Sequence, residues 1–196
     1  MKYLSIDIEA TGLKEMDLII EYAMVPVCTE NSVINHDLSF HSYIKCPSFD
    51  ELKPHLDDWV IKNNESLINK ASNEGINIDN FKLKLEEYFD REPIRSFFNF
   101  PEEKICILGK SLNAIDLPFL NRDLGWDFMR KYFHHQVLDV SSIVMSQIDM
   151  KKIPRECKSG SYLTNYLNLG EVDHTALEDA IQTAKIYLNL LNTTSS

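Results

Sequence analysis

The sequence has no long apolar run, no paired cysteine motif and no excess of basic residues. None of its apolar runs approaches the roughly 20 residues that cross a bilayer, so we expect no membrane span. The first residues lack the basic, apolar and small-residue succession that marks a signal peptide. The four cysteines lie far apart without a C-x-x-C pair, which argues against a zinc module. Reduced thiols of this kind favour a cytoplasmic location.

Positive charge is scarce, because 20 lysines and arginines are set against 30 aspartates and glutamates, for a net charge of −10. A chain this acidic should not bind nucleic acid through bulk electrostatics, so a polyanion would need local basic residues or bound metal. The 196 residues suit one domain with a substantial core. We therefore expect a single domain over residues 1–196, with residues 192–196 as a frayed tail.

Two carboxylates stand at the end of an alternating segment near the N-terminus. Leu4, Ile6 and Ile8 alternate with polar residues, which predicts a strand that carries Asp7 and Glu9 on its other face. Residues two apart on a strand have Cα atoms about 6.6–6.8 Å apart, so both carboxylates can reach one point. They would repel each other there unless a divalent cation balanced them. The alternative is an edge strand with a solvated acidic face.

The remaining pattern predicts an α/β fold with one mixed sheet, because strands come first, then helices, then strands and helices in turn. Pro26 should end or bulge the second strand, and Asn31-Ser32 should supply a hairpin turn after it. Phe81, Leu85, Tyr88 and Phe89 should form the apolar face of a helix that Asp79 caps. Glu21 and Asp139 fall within strands and are predicted to be structural. The predicted strands cover residues 17–27, 32–45, 104–108 and 136–143, and the predicted helices lie within residues 49–92, 111–124, 161–169 and 175–191.

Two further acids and a histidine are candidates for the same chemistry. Thr175 and Glu178 form a capping-box pattern that starts the last helix, so His174 falls in the loop before it. Asp179 lies beside the apolar face of that helix, where a carboxylate is not expected unless something pairs it. Asp116 follows a predicted strand where a helix begins. The alternatives are a surface aspartate, a loop histidine and an aspartate that only caps a helix.

Three segments resemble the motifs of the DEDDh, or DnaQ-like, 3′→5′ exonucleases: residues 7–13, 113–120 and 174–180. Residues 133–143 are similar to a stretch in oligoribonucleases, and the first motif looks equally like that of animal three-prime repair exonucleases, so the subfamily stays open. Two departures leave DNA or RNA preference open. Ile115 stands where many relatives have phenylalanine, and Lys110-Ser111 where many have His-Asn or Asn-Ser.

The resemblance implies a ribonuclease-H-like fold, a mixed sheet of about five strands flanked by helices. It implies two divalent cations, Mg²⁺ or Mn²⁺, and 3′→5′ hydrolysis of short single-stranded DNA or RNA to nucleoside 5′-monophosphates. It makes His174 the general base. The implied metal ligands are Asp7, Glu9, Asp116 and Asp179, and the implied substrate-binding residues are Thr11, Gly12, Leu13 and Asn113. A homodimer is left open. The alternative function is a catalytically silent nucleic-acid-binding module of the same fold.

The densest basic cluster lies in residues 150–162, just before the segments that carry His174 and Asp179. Pro154, Gly160 and several serines predict that this loop is mobile. We hypothesise that its basic side chains contact phosphates that lead into the site; the alternative is a solvated loop. These side chains are Lys151, Lys152, Arg155 and Lys158.

Overall fold

The computed structural model describes residues 1–170 and 175–193. Within these ranges the strands are β1 (Lys2–Ala10), β2 (Ile19–Cys28), β3 (Val33–Ile34), β4 (Phe40–Tyr43), β5 (Ile107–Gly109) and β6 (Leu138–Asp139). The α-helices are α1 (Phe49–Leu52), α2 (Asp58–Asn63), α3 (Glu65–Glu74), α4 (Ile78–Asp90), α5 (Glu92–Phe98), α6 (Asp116–Leu124), α7 (Trp126–Tyr132), α8 (Val140–Asp149), α9 (Gly160–Tyr166) and α10 (Ala176–Thr193). None of these helices has the length and apolar character needed to cross a bilayer.

The strands form one mixed sheet in the order β3-β2-β1-β5-β6, with β4 also paired to β2. β1 pairs antiparallel with β2 and parallel with β5, and β5 pairs parallel with β6. The predicted α/β fold with a mixed sheet is therefore confirmed, with six strands instead of about five. β2 lies at the centre of the antiparallel half, and all of its residues are buried.

Pro26 neither ends nor bulges β2, contrary to the prediction. The strand continues to Cys28, and Pro26 stays in register with Leu4 of β1. On the other side of β2, Pro26 falls between the residues that pair with β4 and those that pair with β3. The Pro26 carbonyl accepts the Asn35 N–H on that side. The strand pairing is interrupted there, so the absence of a proline N–H removes no hydrogen bond between strands. The irregularity lies instead in β1, between Glu9 and Ala10.

The predicted third strand over residues 32–45 is two short strands, β3 and β4. A 3₁₀ turn, His36–Leu38, separates them, and the Leu38 N–H donates to the Asn35 carbonyl within it. Ser32 takes a left-handed φ of 54° in the turn that joins β2 to β3, where the sequence predicted a hairpin. Strand propensity was therefore read correctly, but a local turn interrupts the pairing.

The helical region agrees with the prediction in its apolar spacing and differs at the caps. The buried residues of α4 are the predicted Phe81, Leu85, Tyr88 and Phe89. The cap of α4 is Asn77, whose side chain accepts the Asn80 N–H, and Asp79 lies inside the first turn, so the prediction for Asp79 was wrong.

Residues 136–143 were predicted as one strand, but β6 covers only two residues and α8 follows at once. Asp139 makes the switch, because its side chain accepts the Ser141 N–H and so caps α8. Its Oδ1 also accepts the Ser111 N–H at 3.1 Å, which ties the loop after β5 to this cap. Asp139 is thus structural and within a strand, as predicted, and as the last residue of β6 it also caps α8.

The basic segment before α9 is packed against the core and contains a 3₁₀ turn, where the sequence predicted a mobile loop. Ile153 and Cys157 are 5% and 1% exposed and belong to the core beneath α8 and α10. A 3₁₀ turn, Arg155–Lys158, then leads directly into α9. At the other end of the chain, α10 continues to Thr193, two residues beyond the predicted end, and residues 194–196 of the expected tail lie outside the described residues.

The two faces of β1 serve different purposes. Leu4, Ile6 and Ile8 face one core, which they share with residues of α4, α6 and α7. Tyr3 belongs to a second core with residues of α8 and α10. Because successive side chains on a strand point to opposite faces, Asp7 and Glu9 share the face that α10 covers.

Candidate active site

The contact between β1 and α10 sets the distance between the acids that they carry. Ser5 is fully buried, and its hydroxyl donates to the Ala180 carbonyl of α10 at 2.7 Å. Asp7 and Glu9 follow Ser5 on the same face of β1, and Asp179 precedes Ala180. Ligand oxygens of Asp7, Glu9 and Asp179 all lie within 4.8 Å of one another. Three carboxylate oxygens at this spacing match the hard oxygen ligands that Mg²⁺ and Mn²⁺ prefer.

Asp116 is the first residue of α6 and is 3% exposed. It lies outside the closest group of three acids, but its charge raises the pKa values of both Asp7 and Glu9. The sequence offered capping as the alternative role, yet Ile115 occupies the N-cap position of α6. Asp116 is therefore a buried carboxylate that faces the other acids across a helix start.

The raised pKa values of these acids indicate that the site holds more negative charge than its surroundings balance. Burial and the neighbouring acids Asp116, Asp179 and Glu9 raise the pKa of Asp7 well above its ordinary value. Burial, with Asp179 and Glu21, raises the pKa of Glu9 to about 7. Burial is also the main cause that raises the pKa of Asp116 to about 7. Four clustered acids thus need a counter-charge to be ionised at neutral pH, and divalent cations fit this donor set.

Glu21 connects the elements that carry the site. It is 1% exposed, and its two oxygens reach two different elements. His41 of β4 lies 2.5 Å from Oε1, and the Ala176 N–H at the start of α10 donates to Oε2 at 3.2 Å. The predicted structural role of Glu21 therefore has a physical basis, since this carboxylate joins β2 to β4 and to the helix that carries Asp179.

The acids line a cleft of about 510 Å³ between the sheet and α9. Its walls also contain residues that the sequence did not single out for binding. Gln182 is one of these: its Nε2 donates to the Gly170 carbonyl, and among the described residues its buried Oε1 has no hydrogen-bond partner. The only signal for Gln182 was its helical spacing from Asp179. The other wall residues include Lys110, Ser111, Gly160, Ser161, Thr164 and Thr183.

The predicted substrate-binding residues do not line this cleft. Thr11 is buried, and its hydroxyl accepts the Leu18 N–H at 2.9 Å, which gives it a role in the turn after β1. A Cβ at Gly12 would meet the Asp17 carboxylate at 2.3 Å, so a larger residue there would displace the Asp17 side chain. Leu13 and Asn113 are exposed. Contacts of these four residues with a nucleotide stay a prediction. The predicted base, His174, lies outside the described residues.

Comparison with known proteins places the chain in a family. A search among curated proteins finds no significant match. The family model described as exonuclease (RNase T) matches residues 4–187.

Three solved structures illustrate the likeness. Cell-death related nuclease 4 aligns with a TM-score of 0.71 and 17% identity over 97% of this chain and 64% of that chain. The nuclease domain of 3′hExo, a DEDDh family member bound to rAMP, gives 0.67 and 17% over 97% and 92%. Escherichia coli exonuclease I with a dA16 oligonucleotide gives 0.66 and 17% over 97% and 41%. At such identities the structures show a shared fold, and the family match over residues 4–187 shows that this chain belongs to the RNase T family of exonucleases.

Proposed function

We propose that the protein removes nucleotides one at a time from the 3′ end of single-stranded nucleic acid and releases nucleoside 5′-monophosphates. The observation that carries this proposal is the meeting of Asp7, Glu9 and Asp179 within 4.8 Å. The three come from two elements of an exonuclease fold, with buried Asp116 beside them. The 3′hExo structure contains rAMP and the exonuclease I structure contains an oligonucleotide, which supports a nucleic-acid substrate without choosing between RNA and DNA.

In this mechanism Asp7 would bind both divalent cations, Glu9 and Asp179 would hold one, and Asp116 would support the other. When bound, such cations supply the charge that lowers the pKa of water and offsets charge on the phosphate. His174 would take the proton of the attacking water, because an imidazole titrates near neutral pH. The cleft walls formed by α9 and α10 would hold the terminal phosphodiester against the acids and limit bulk water. We further propose one domain and a cytoplasmic location, which the four free cysteines support.

The test is a time course on 5′-labelled DNA and RNA strands of several lengths, with Mg²⁺, Mn²⁺ or chelator. We expect a ladder that shortens by one nucleotide from the 3′ end, and mononucleotide release that chelator stops. A strand with a blocked 3′ end is the control and should persist. The alternative, a silent binding module of the same fold, predicts that strands bind but stay intact with every cation.

His174→Ala should lower the rate by about 10²–10⁴-fold, the usual contribution of a general base. Cation binding, measured by calorimetry, should stay at the wild-type level, because the change removes a base and not a ligand. The wild-type rate should rise with pH through the imidazole range, and the variant should lose that rise. An unchanged rate and pH profile would remove His174 from the mechanism.

The basic segment before α9 gives the acidic protein a path for a polyanion. Its four basic residues are exposed, while Ile153 and Cys157 hold their backbone in the core. The segment ends at Gly160 and Ser161, which line the cleft. We propose that these side chains bind phosphates of the strand upstream of the reacting end, which suits a distributive enzyme acting on short strands.

Replacing Lys151, Lys152, Arg155 and Lys158 by serine should raise KM several-fold and flatten its dependence on salt. Each lost phosphate contact removes about 0.7 from the slope of log affinity against log salt on a single strand. A matched control replaces four exposed lysines of the helical region before β5, Lys53, Lys62, Lys70 and Lys84, with the same change in net charge. Equal salt slopes in the two variants would show that only net charge matters.

A further inference from the structure

A lysine lies at the wall of the acidic cleft. Lys110 follows β5 directly and lines the same cleft as the four acids. Its charge acts on Asp7, whose pKa it lowers against the effects of burial and the other acids. Lys110 is exposed, and among the described residues its ammonium makes no hydrogen bond or ion pair, so the group is available to a ligand.

The backbone beside Lys110 is fixed. Ser111 takes a left-handed φ of 58°, and its N–H donates to Asp139 Oδ1 at 3.1 Å. The Ser111 and Ser141 hydroxyls lie 3.0 Å apart, which ties the same loop to α8. The Lys110 side chain therefore extends from a loop that hydrogen bonds hold in place.

The opposite wall leaves room for the ammonium. Gly160 is the first residue of α9, and a Cβ built there would lie 2.8 Å from Lys110 Nζ. The ammonium thus lies over a residue that has no side chain, at the point where the basic segment reaches the cleft. Any larger residue at this position would displace Nζ and leave the backbone of α9 unchanged, because a lysine tip is flexible.

We propose that the Lys110 ammonium binds a non-bridging oxygen of the phosphodiester that lies at the four acids. This inference rests on the proposed function, and it assigns a role to a residue that has none in the mechanism above. Four carboxylates and two divalent cations cancel in formal charge, so Lys110 gives the loaded site the positive charge that complements a phosphodiester. A lysine acts on phosphate as a compact point charge, which suits a group whose charge grows during hydrolysis.

Four variants test the proposal: Lys110→Met, Lys110→Arg, Gly160→Ala and the exposed control Lys62→Met. Lys110→Met should lower kcat/KM by about 10- to 100-fold, the usual range for a hydrogen bond to a charged group. Lys110→Arg should recover part of this loss. Gly160→Ala should cause a smaller loss of kcat/KM. Its melting temperature should not fall, because alanine has a higher helix propensity than glycine. Lys62→Met should match wild type.

Two binding measurements accompany the kinetics. In Ca²⁺, the anisotropy of a labelled oligonucleotide should show weaker binding for Lys110→Met, and calorimetry should show cation affinity equal to or tighter than wild type, since a positive charge is lost. Wild-type binding and kcat/KM in Lys110→Met, or a loss that follows weaker cation binding, would overturn the proposal. A wild-type protein that binds the strand but never cuts would overturn the proposed function instead, and the binding experiment would still decide the role of Lys110.

Discussion

Asp7→Asn should abolish nucleotide release, with a loss of about 10³-fold or more. Metal-assisted charge stabilisation is worth several kcal/mol, and each 1.36 kcal/mol corresponds to a factor of ten in rate. Asparagine keeps the shape of Asp7 and removes the charge that the other acids repel, so the fold should be retained and the melting temperature of the metal-free protein should rise. Rates on labelled strands and thermal unfolding in chelator measure the two effects.

The same loss is expected for Glu9→Gln, Asp116→Asn and Asp179→Asn, because each removes one carboxylate of the cluster. Asp90→Asn, at the exposed end of α4, is the matched control and should keep full activity. A variant of the cluster that still degrades a strand at the wild-type rate would show that its acid is no ligand. Asp116 is the most informative, since it lies outside the closest three.

The stability of the metal-free protein should fall as pH rises from about 4 to about 7. The folded-state pKa values of Glu9 and Asp116 are raised to about 7 from ordinary values of 4.5 and 3.8. The folded protein therefore binds more protons than the unfolded chain in this range. Their contribution is fully present below the ordinary values and is lost as pH rises through the raised ones. For buried Asp116, each pKa unit corresponds to roughly 1.4 kcal/mol of unfolding free energy.

Melting temperatures at pH 5 and pH 8, in chelator and in Mg²⁺ or Mn²⁺, measure this effect. The rise on adding cation should be larger at pH 8, because at pH 5 protons already neutralise the acids. Asp116→Asn in chelator should gain several °C over wild type at pH 8 and little at pH 5, since 1 kcal/mol shifts a domain of this size by about 2–4 °C. An equal gain at both pH values would show that Asp116 is not strained by its charge.

The sequence predicted the parts of the fold that depend on periodicity. The alternation around Leu4, Ile6 and Ile8 gave β1 its two faces, and the spacing of Phe81 and Leu85 gave α4 its buried side. The predicted DEDDh family is confirmed by the family match over residues 4–187. Short elements were read less well, because single hydrogen bonds decide them. Asp139 begins α8 by accepting one N–H, and no window of hydrophobicity records such a bond.

The site residues were likewise predicted only in part. The acids could be found because two of them share a strand face and a third follows a capping box. Gly160 and Gln182 could not, and Lys110 stood out only as a departure from the family pattern, because these residues meet only through the packing of α9 and α10 beside β5. Thr11 has a structural role that its motif did not indicate, since its hydroxyl accepts the Leu18 N–H, and its contact with a nucleotide stays a prediction.

The packing of α10 on β1 also determines when the three acids come together during synthesis. Asp7 and Glu9 leave the ribosome early, but Asp179 is added only after nearly every other element has been made. Until α10 packs and Ser5 bonds to the Ala180 carbonyl, the third carboxylate is absent. A chain that stops before α10 would lack the carboxylate of Asp179. The group of three acids is therefore complete only after α10 has been made and has packed on β1.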